Sequence, residues 1–167
     1  MPEISKFPLR LSLLLATVAL TASACGPSGG SGGSGGAAAD AKPKTTAELV
    51  AELPAPYNMG DPNNGKVLFA GQCAACHTLT KGGSNGVGPN LYGFWGQDSG
   101  HNEDFNYSPA LHAGRWTWGT DKLNTWITDP KILAPPTRMI FAGIKDPNQR
   151  RDIIAFLRVA STTGGTL

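Results

Sequence analysis

The stretch Cys73-Ala74-Ala75-Cys76-His77 limits what this 167-residue chain can fold into more than any other feature. Two cysteines three positions apart, followed directly by a histidine, are the attachment signature of a c-type heme. The spacing sets both thiols on one side of a helical turn, where they can add to the two heme vinyl groups. The adjacent imidazole then lies beneath the iron as a proximal ligand. We therefore predict one covalent heme c with its iron.

Other interpretations of the motif are a redox-active cysteine pair, half of a zinc site, or chance. A zinc site would need a second pair of cysteine or histidine ligands at short spacing, and the other histidines, His101 and His112, are too far apart in the sequence. A thioredoxin-like pair would need a βαβ context, whereas the flanks here are rich in glycine. Heme attachment through Cys73, Cys76 and His77 is the favoured interpretation.

Residues 1–24 are typical of an export signal. Lys6 and Arg10 precede an apolar run over 11–20, and small residues follow to position 24. The 14 residues from 11 to 24 are too few for a membrane span, which needs about 20. We expect export to the extracytoplasmic (periplasmic) side of a bacterial membrane, where heme is attached to such motifs.

The third cysteine, Cys25, stands directly after this segment. The sequence Ala22-Ser23-Ala24-Cys25 resembles a bacterial lipobox, although alanine at position 22 stands where leucine is usual. Acylation of Cys25 would hold the protein at the membrane, because each buried methylene contributes about 0.8 kcal/mol. Ala22-Ser23-Ala24 also fits an ordinary signal-peptide cleavage site, which is made of small residues. A secreted soluble protein is therefore the alternative.

A flexible tether is predicted over 25–60. Residues 26–36 consist of proline and glycine/serine repeats, which behave as a flexible coil. Thr45 to Leu53 has the pattern of a short helix, which Pro54 and Pro56 would end. An engineered spacer is the alternative origin of the glycines. The folded domain is then predicted over 61–161, followed by a short tail over 162–167.

Helical patterns dominate the predicted domain, and we see no alternation that indicates strands. Proline after a capping residue opens helices at Asp61-Pro62, Ser108-Pro109 and Asp146-Pro147. A further helix is predicted to begin at Thr120 and to end before Pro130. The last helix carries an apolar stripe. The predicted fold class is all-α, with long loops that would wrap around the heme.

The identity of the second axial ligand cannot be read from residue types alone. The candidates are Met59, Met139, His101 and His112. Met59 precedes the heme motif in a proline-rich segment, which places it poorly. Met139 follows Pro135-Pro136 in a loop suited to holding a weak ligand, although most methionines only fill cores.

The segment 65–157 resembles a class I cytochrome c of the mitochondrial and bacterial c2 type. Three motifs carry the resemblance: the heme motif through Thr78, a proximal loop over 88–93 (GPNLYG) and a distal loop over 135–144 (PPTRMIFAGI). It implies the small helical cytochrome c fold around one covalent heme.

The resemblance also implies roles for individual residues. Met139 would be the distal ligand, and the Pro89 carbonyl would accept a hydrogen bond from the His77 ring. Tyr107 and Trp118 would donate hydrogen bonds to a heme propionate, with Thr137 nearby.

Three residues near the expected heme depart from the family pattern. Gln97 stands where many relatives carry an arginine near the buried propionates, so we expect a lower reduction potential. Trp126 replaces a tyrosine beside the methionine, and Pro136 replaces a glycine.

The expected function is one-electron transfer between a quinol-oxidising complex and a terminal oxidase, reaction centre or reductase. A fixed cytochrome subunit of a larger complex is the alternative, and a heme enzyme or gas sensor is less favoured. The net charge is +2, or +1 once Glu3, Lys6 and Arg10 are removed, and no nucleic-acid footprint is present. We expect a monomer that docks on its partners through a more apolar patch. Its remaining basic residues near the heme edge are Lys131, Arg138 and Lys145.

Overall fold

The computed structural model describes residues 42–167, which form one compact unit. The predicted signal peptide, Cys25 and the glycine/serine repeats lie outside the described residues. Within 42–167 the regular elements are helical, and the only strand-like pairing is an isolated bridge between Asp98 and Thr117. This confirms the all-α fold class. The helices are α1 Thr46–Ala51, α2 Pro62–Gln72, α3 Pro109–His112, α4 Thr120–Thr128 and α5 Pro147–Thr163, with 3-10 turns at Tyr57–Met59 and Pro130–Ile132.

Side-chain caps explain where three helices begin. Asp61 accepts a hydrogen bond from the Asn63 N–H at 2.8 Å, and Asp146 accepts one from the Asn148 N–H at 2.8 Å. The Ser108 hydroxyl accepts a longer bond from the Leu111 N–H. Each cap satisfies an N–H that has no partner inside the helix, and the proline that follows has no N–H to satisfy.

The centre of the fold is the crossing of α2 and α5. Gly65 allows this close approach, because a Cβ at that position would lie 2.1 Å from the Asp152 carbonyl oxygen. One turn further, the rings of Phe69 and Phe156 pack with centroids 5.4 Å apart. The two helices therefore hold the segment that leads into the heme motif against the longest helix of the chain.

The folded unit begins earlier than residue 61, where the sequence indicated a domain boundary. α1, which lies in the predicted tether, packs Leu49, Val50 and Leu53 against Ala155 and Val159 of α5. Burial of these apolar side chains fixes the segment to the domain. The predicted short helix over 45–53 is therefore a structured part of the domain, and the part of the predicted tether before residue 42 lies outside the described residues.

The C-terminal boundary also differs from the prediction. α5 continues to Thr163, two residues beyond the predicted domain end, and stops at Gly164, whose φ of +71° suits a residue without a side chain. Leu167 is partly buried against the core. No helix among residues 42–167 has the length and apolar character needed to cross a membrane.

Candidate heme site

An apolar cavity of about 260 Å³ lies against α2, α4 and α5. Cys73, Cys76, His77 and Met139 all line it, although His77 and Met139 are 62 residues apart in the sequence. Its walls are mainly apolar and aromatic, and they include Phe69, Leu91, Phe94, Leu123, Ile153 and Leu157. The structure thus brings together the residues that the sequence assigned to heme attachment and to both axial positions.

The heme motif follows directly from the end of α2. The His77 N–H and the Cys76 N–H both donate to the Cys73 carbonyl at 3.0 Å, so the motif continues as a tight helical turn. Cys73 is partly buried and Cys76 is exposed, and they do not form a disulfide. Burial, with a smaller contribution from Cys76, raises the pKa of Cys73 to about 11. Both thiols are therefore available to form thioether bonds.

The His77 ring is fixed by its surroundings. Its Nδ1 lies 2.8 Å from the Pro89 carbonyl oxygen, the bond that the family resemblance implied. Because Nδ1–H donates to this carbonyl, Nε2 is left with a free lone pair for a metal. Burial lowers the pKa of His77, and the Pro89 hydrogen bond opposes this effect. The neutral form, which can bind iron, is favoured.

Gly88 is a site residue whose role residue-by-residue reasoning missed. A Cβ at this position would lie 2.4 Å from Cε1 of His77, so the ring packs directly on the glycine backbone. The Gly-Pro pair before Asn90 was visible in the sequence, but only the ring contact shows why residue 88 must lack a side chain.

The proximal loop is held to the heme motif by polar side chains that sequence reasoning did not single out. The buried Asn90 side chain donates to the Thr78 hydroxyl at 2.8 Å and to the Thr80 carbonyl at 2.9 Å. The Asn85 side chain accepts the Asn90 N–H at 2.8 Å. This network gives Pro89 a rigid position, and with it the His77 ring.

The distal loop, residues 135–144, carries Met139 to the cavity. The Met139 N–H donates to the Thr137 hydroxyl at 3.1 Å, which closes a local turn and leaves the hydroxyl proton free to donate. Arg138 donates to the Asn106 carbonyl at 2.9 Å, and the Ile144 N–H donates to the Ile127 carbonyl at 2.8 Å. These bonds join the loop to the rest of the domain on both sides of the thioether.

The predicted propionate partners also line the cavity. Tyr107 and Trp118 are buried, and Thr137 is partly buried. Burial raises the pKa of Tyr107, which keeps its phenol protonated and able to donate. The Trp118 ring packs edge-on against Trp126 with centroids 5.6 Å apart, so the tryptophan at position 126 joins an aromatic wall.

Of the three other candidates for the second axial ligand, only His101 lines the cavity. Met59 is 66% exposed and does not line the cavity, and neither does His112. His101 does line it. Among residues 42–167, no group of three His, Cys, Asp or Glu side chains could hold a metal ion by itself.

The residues present fit a covalently attached heme. The cavity is apolar, two thiols and a neutral imidazole stand at one end of α2, and the ring of that imidazole is already oriented by Pro89 and Gly88. Cys73 and Cys76 would form the thioether bonds, and His77 and Met139 would take the axial positions. The bound group supplies reversible one-electron chemistry at iron, and this chain supplies attachment, ligand identity and exclusion of water.

Comparison with known proteins gives the same assignment. The cytochrome c family model matches residues 62–161. Cytochrome c of Theileria annulata is 45% identical over 103 residues, which is 62% of this chain and 89% of that protein. Cytochrome c of Chlamydomonas reinhardtii is 41% identical over 111 residues, which is 66% of this chain and 96% of that protein. The chain therefore belongs to the cytochrome c family and is an electron-carrying monoheme cytochrome.

Proposed function

We propose that this protein is a closed, six-coordinate electron carrier, tethered to the extracytoplasmic face of a bacterial membrane. The closed, six-coordinate site is supported by one observation: His77 and Met139 line the same cavity. Two protein ligands leave no open iron position for a substrate or a gas, which favours electron transfer over catalysis or sensing.

The residues around the site would lower the cost of changing the charge of the iron. The hydrogen bonds to His77 and at Thr137 hold both ligand segments in place, so neither needs to move when the oxidation state changes. The apolar walls exclude water, which keeps solvent reorganisation small. These features suit rapid electron exchange and give no site for a bound substrate.

Anchoring through a lipid on Cys25 is the second part of the proposal. It is supported by the export-type sequence over 1–24 and the lipobox-like residues before Cys25. A tether of Gly/Ser composition would keep the domain near its partners, with effective concentrations of the order of mM. A soluble secreted form is the alternative, and a Cys25→Ser variant distinguishes them: lipidation predicts that the parent stays with membranes and that the variant is released.

The partners we propose are a quinol-oxidising complex as donor and an oxidase, reaction centre or reductase as acceptor. Ile140 is fully exposed and Val87 is 82% exposed, and both line the mouth of the cavity. Arg138 is the charged side chain that lines the cavity beside them. We propose that this monomeric carrier docks through an apolar contact around the mouth, with little dependence on long-range charge.

The docking proposal is tested by the rate of electron transfer from a purified quinol-oxidising complex at increasing salt. We expect only a weak decrease between low and physiological ionic strength, because apolar contacts are not screened. Ile140→Asp should slow the reaction at least tenfold, whereas Met59→Asp, at an exposed site that does not line the cavity, should leave it nearly unchanged. Strong slowing by moderate salt in the parent would argue instead for charge steering.

The alternative is a fixed subunit of a larger respiratory or photosynthetic complex. Co-purification of the Cys25→Ser variant with such a complex in constant stoichiometry would favour that role. A shuttle should instead leave its partners on mild dilution, because electron-transfer encounters bury small interfaces.

A further inference from the structure

His101 lies between the heme cavity and the solvent. It lines the cavity on one side and, on the other, an open groove formed with Asn90, Tyr92, Asn102 and Glu103. Its side chain is partly buried. It is therefore a titratable group that can exchange protons with water and still face the cavity.

Backbone hydrogen bonds fix the loop that carries His101 to the aromatic wall of the cavity. The Trp118 N–H donates to the Gln97 carbonyl at 2.8 Å, and the Ser99 N–H donates to the Trp116 carbonyl at 2.9 Å. This pairing holds residues 97–99 along 116–118, and His101 follows two residues later. His101 consequently belongs to the same wall as Trp118, the residue assigned to a propionate.

The orientation of the His101 ring decides which nitrogen can take up a proton. Nδ1 lies 3.2 Å from the Asp98 carbonyl oxygen, so Nδ1 carries the hydrogen and donates it. Nε2 is then the nitrogen that accepts the second proton. Burial lowers the pKa of His101, whereas the Asp98 carbonyl and the Asp98 carboxylate oppose that effect. The ring can thus respond to a further change of charge nearby.

We propose that His101 is a proton-linked group that tunes the reduction potential: it takes up a proton at Nε2 when the heme is reduced and releases it on oxidation. One electron enters from the redox partner, and a fraction of one proton enters from water, with no bond made or broken at the heme. The proposal depends on the bound heme and on neither a membrane anchor nor an identified partner.

The sign follows from electrostatics. Reduction adds one negative charge inside the cavity, which favours the imidazolium form of His101. The potential should therefore fall as the pH rises between the pKa of His101 in the oxidised protein and its higher pKa in the reduced protein. Gln97 stands where many relatives carry an arginine, which would hold a permanent positive charge in this wall. In this chain, compensation of the heme charge by His101 would instead vary with pH. Besides Cys73, Cys76 and His77, which would hold the heme, the titratable or charged groups that line the two cavities of His101 are Tyr92, Glu103, Tyr107 and Arg138. Asp98 acts on the His101 ring directly, and His112 lies beside Gly100 and packs against Tyr107.

The first test is the reduction potential of the heme-loaded protein between pH 5 and pH 9. We expect the proton affinity of His101 to differ by about threefold between the two oxidation states, which corresponds to a total change of about 28 mV for a one-electron couple. His101→Gln should remove this change. His112→Gln is the matched control, because His112 is exposed and does not line the cavity, and it should keep the change.

The second test needs no variant. Titration of the His101 imidazole by NMR in the oxidised and the reduced protein should give a higher pKa in the reduced form. A His101 pKa that is the same in both forms would overturn the proposal. So would a pH dependence of the potential that survives unchanged in His101→Gln, since it would then belong to the propionates or to another group.

Discussion

A single carboxylate joins the start of α2 to the middle of α5. Asp152 is 6% exposed, and its oxygens accept hydrogen bonds from the Asp61 N–H at 3.1 Å and from the Asn64 side chain at 2.8 Å. Arg151 adds a contact at 3.2 Å. Burial acts to raise the pKa of Asp152, but these hydrogen bonds outweigh burial, and the pKa is lowered.

The prediction at this residue concerns stability against pH. A lowered pKa means that the ionised form stabilises the folded state above the unfolded-state pKa of about 3.9. That contribution disappears as the pH falls through the folded-state pKa. Asp152→Asn should therefore lower the free energy of unfolding by about 1–2 kcal/mol at pH 7, measured by guanidinium titration, and by progressively less as the pH falls below about 3.9. Asp104→Asn, at an exposed site, is the control; an equal loss for both variants would contradict the assignment.

Residue chemistry was predictable where a motif encodes it. Cys73, Cys76 and His77 follow from their spacing, and Met139 follows from the distal loop that the resemblance covers. Gly88 and Asn90 did not follow, because their roles come from contacts with residues 11 and 12 positions away that only the folded loop creates. The sequence presents His101 only as a candidate metal ligand, since nothing in it shows which wall of the cavity His101 joins.

At the scale of elements, the crossing of α2 and α5 depends on one glycine. We predict that Gly65→Ala lowers the free energy of unfolding by about 1–3 kcal/mol or more, because the new Cβ would meet the Asp152 backbone at 2.1 Å. Gly71→Ala in the same helix is the matched control. No atom lies within 4 Å of a Cβ there, so this change should stabilise the protein by about 0.5–1 kcal/mol. Thermal unfolding of the heme-loaded variants measures both, and a neutral Gly65→Ala would show that the helices do not cross this closely.

α1 is a second element with a measurable role. Leu49 is 2% exposed and packs on the α5 face formed by Ala155 and Val159. Leu49→Ala should cost about 2–5 kcal/mol of stability, as for other buried leucines. Val67→Ala, at a site 70% exposed, should change stability by less than about 0.5 kcal/mol. If chemical denaturation gave the two variants equal stability, α1 would not be part of the cooperative unit.

The elements themselves were largely predictable, and their packing was not. Caps followed by proline marked α2, α3 and α5 correctly, because those local hydrogen bonds are encoded within a few residues. The packing of α1 on the domain was not predictable for a different reason. Glycine-rich sequence before α1 and prolines after it indicated a linker, while the apolar partners that bury α1 lie about 100 positions later on α5.

Across the whole molecule, α5 separates two functions. Ile153 and Leu157 line the heme cavity, whereas Ala155 and Val159 pack against α1. Side chains two positions apart point to nearly opposite sides of a helix. α1 is therefore attached on the side of α5 away from the cavity.

The measurement that tests the central claim most directly is the optical spectrum of the heme-loaded protein, compared with Met139→Ala and Met59→Ala. A weak far-red charge-transfer band from methionine to ferric iron should be present in the parent and in Met59→Ala, whose thioether is exposed, and absent from Met139→Ala. The reduced parent should not bind carbon monoxide, and reduced Met139→Ala should bind it. A parent that lacks the band and binds carbon monoxide readily would contradict the closed, six-coordinate site and the electron-carrier account built on it.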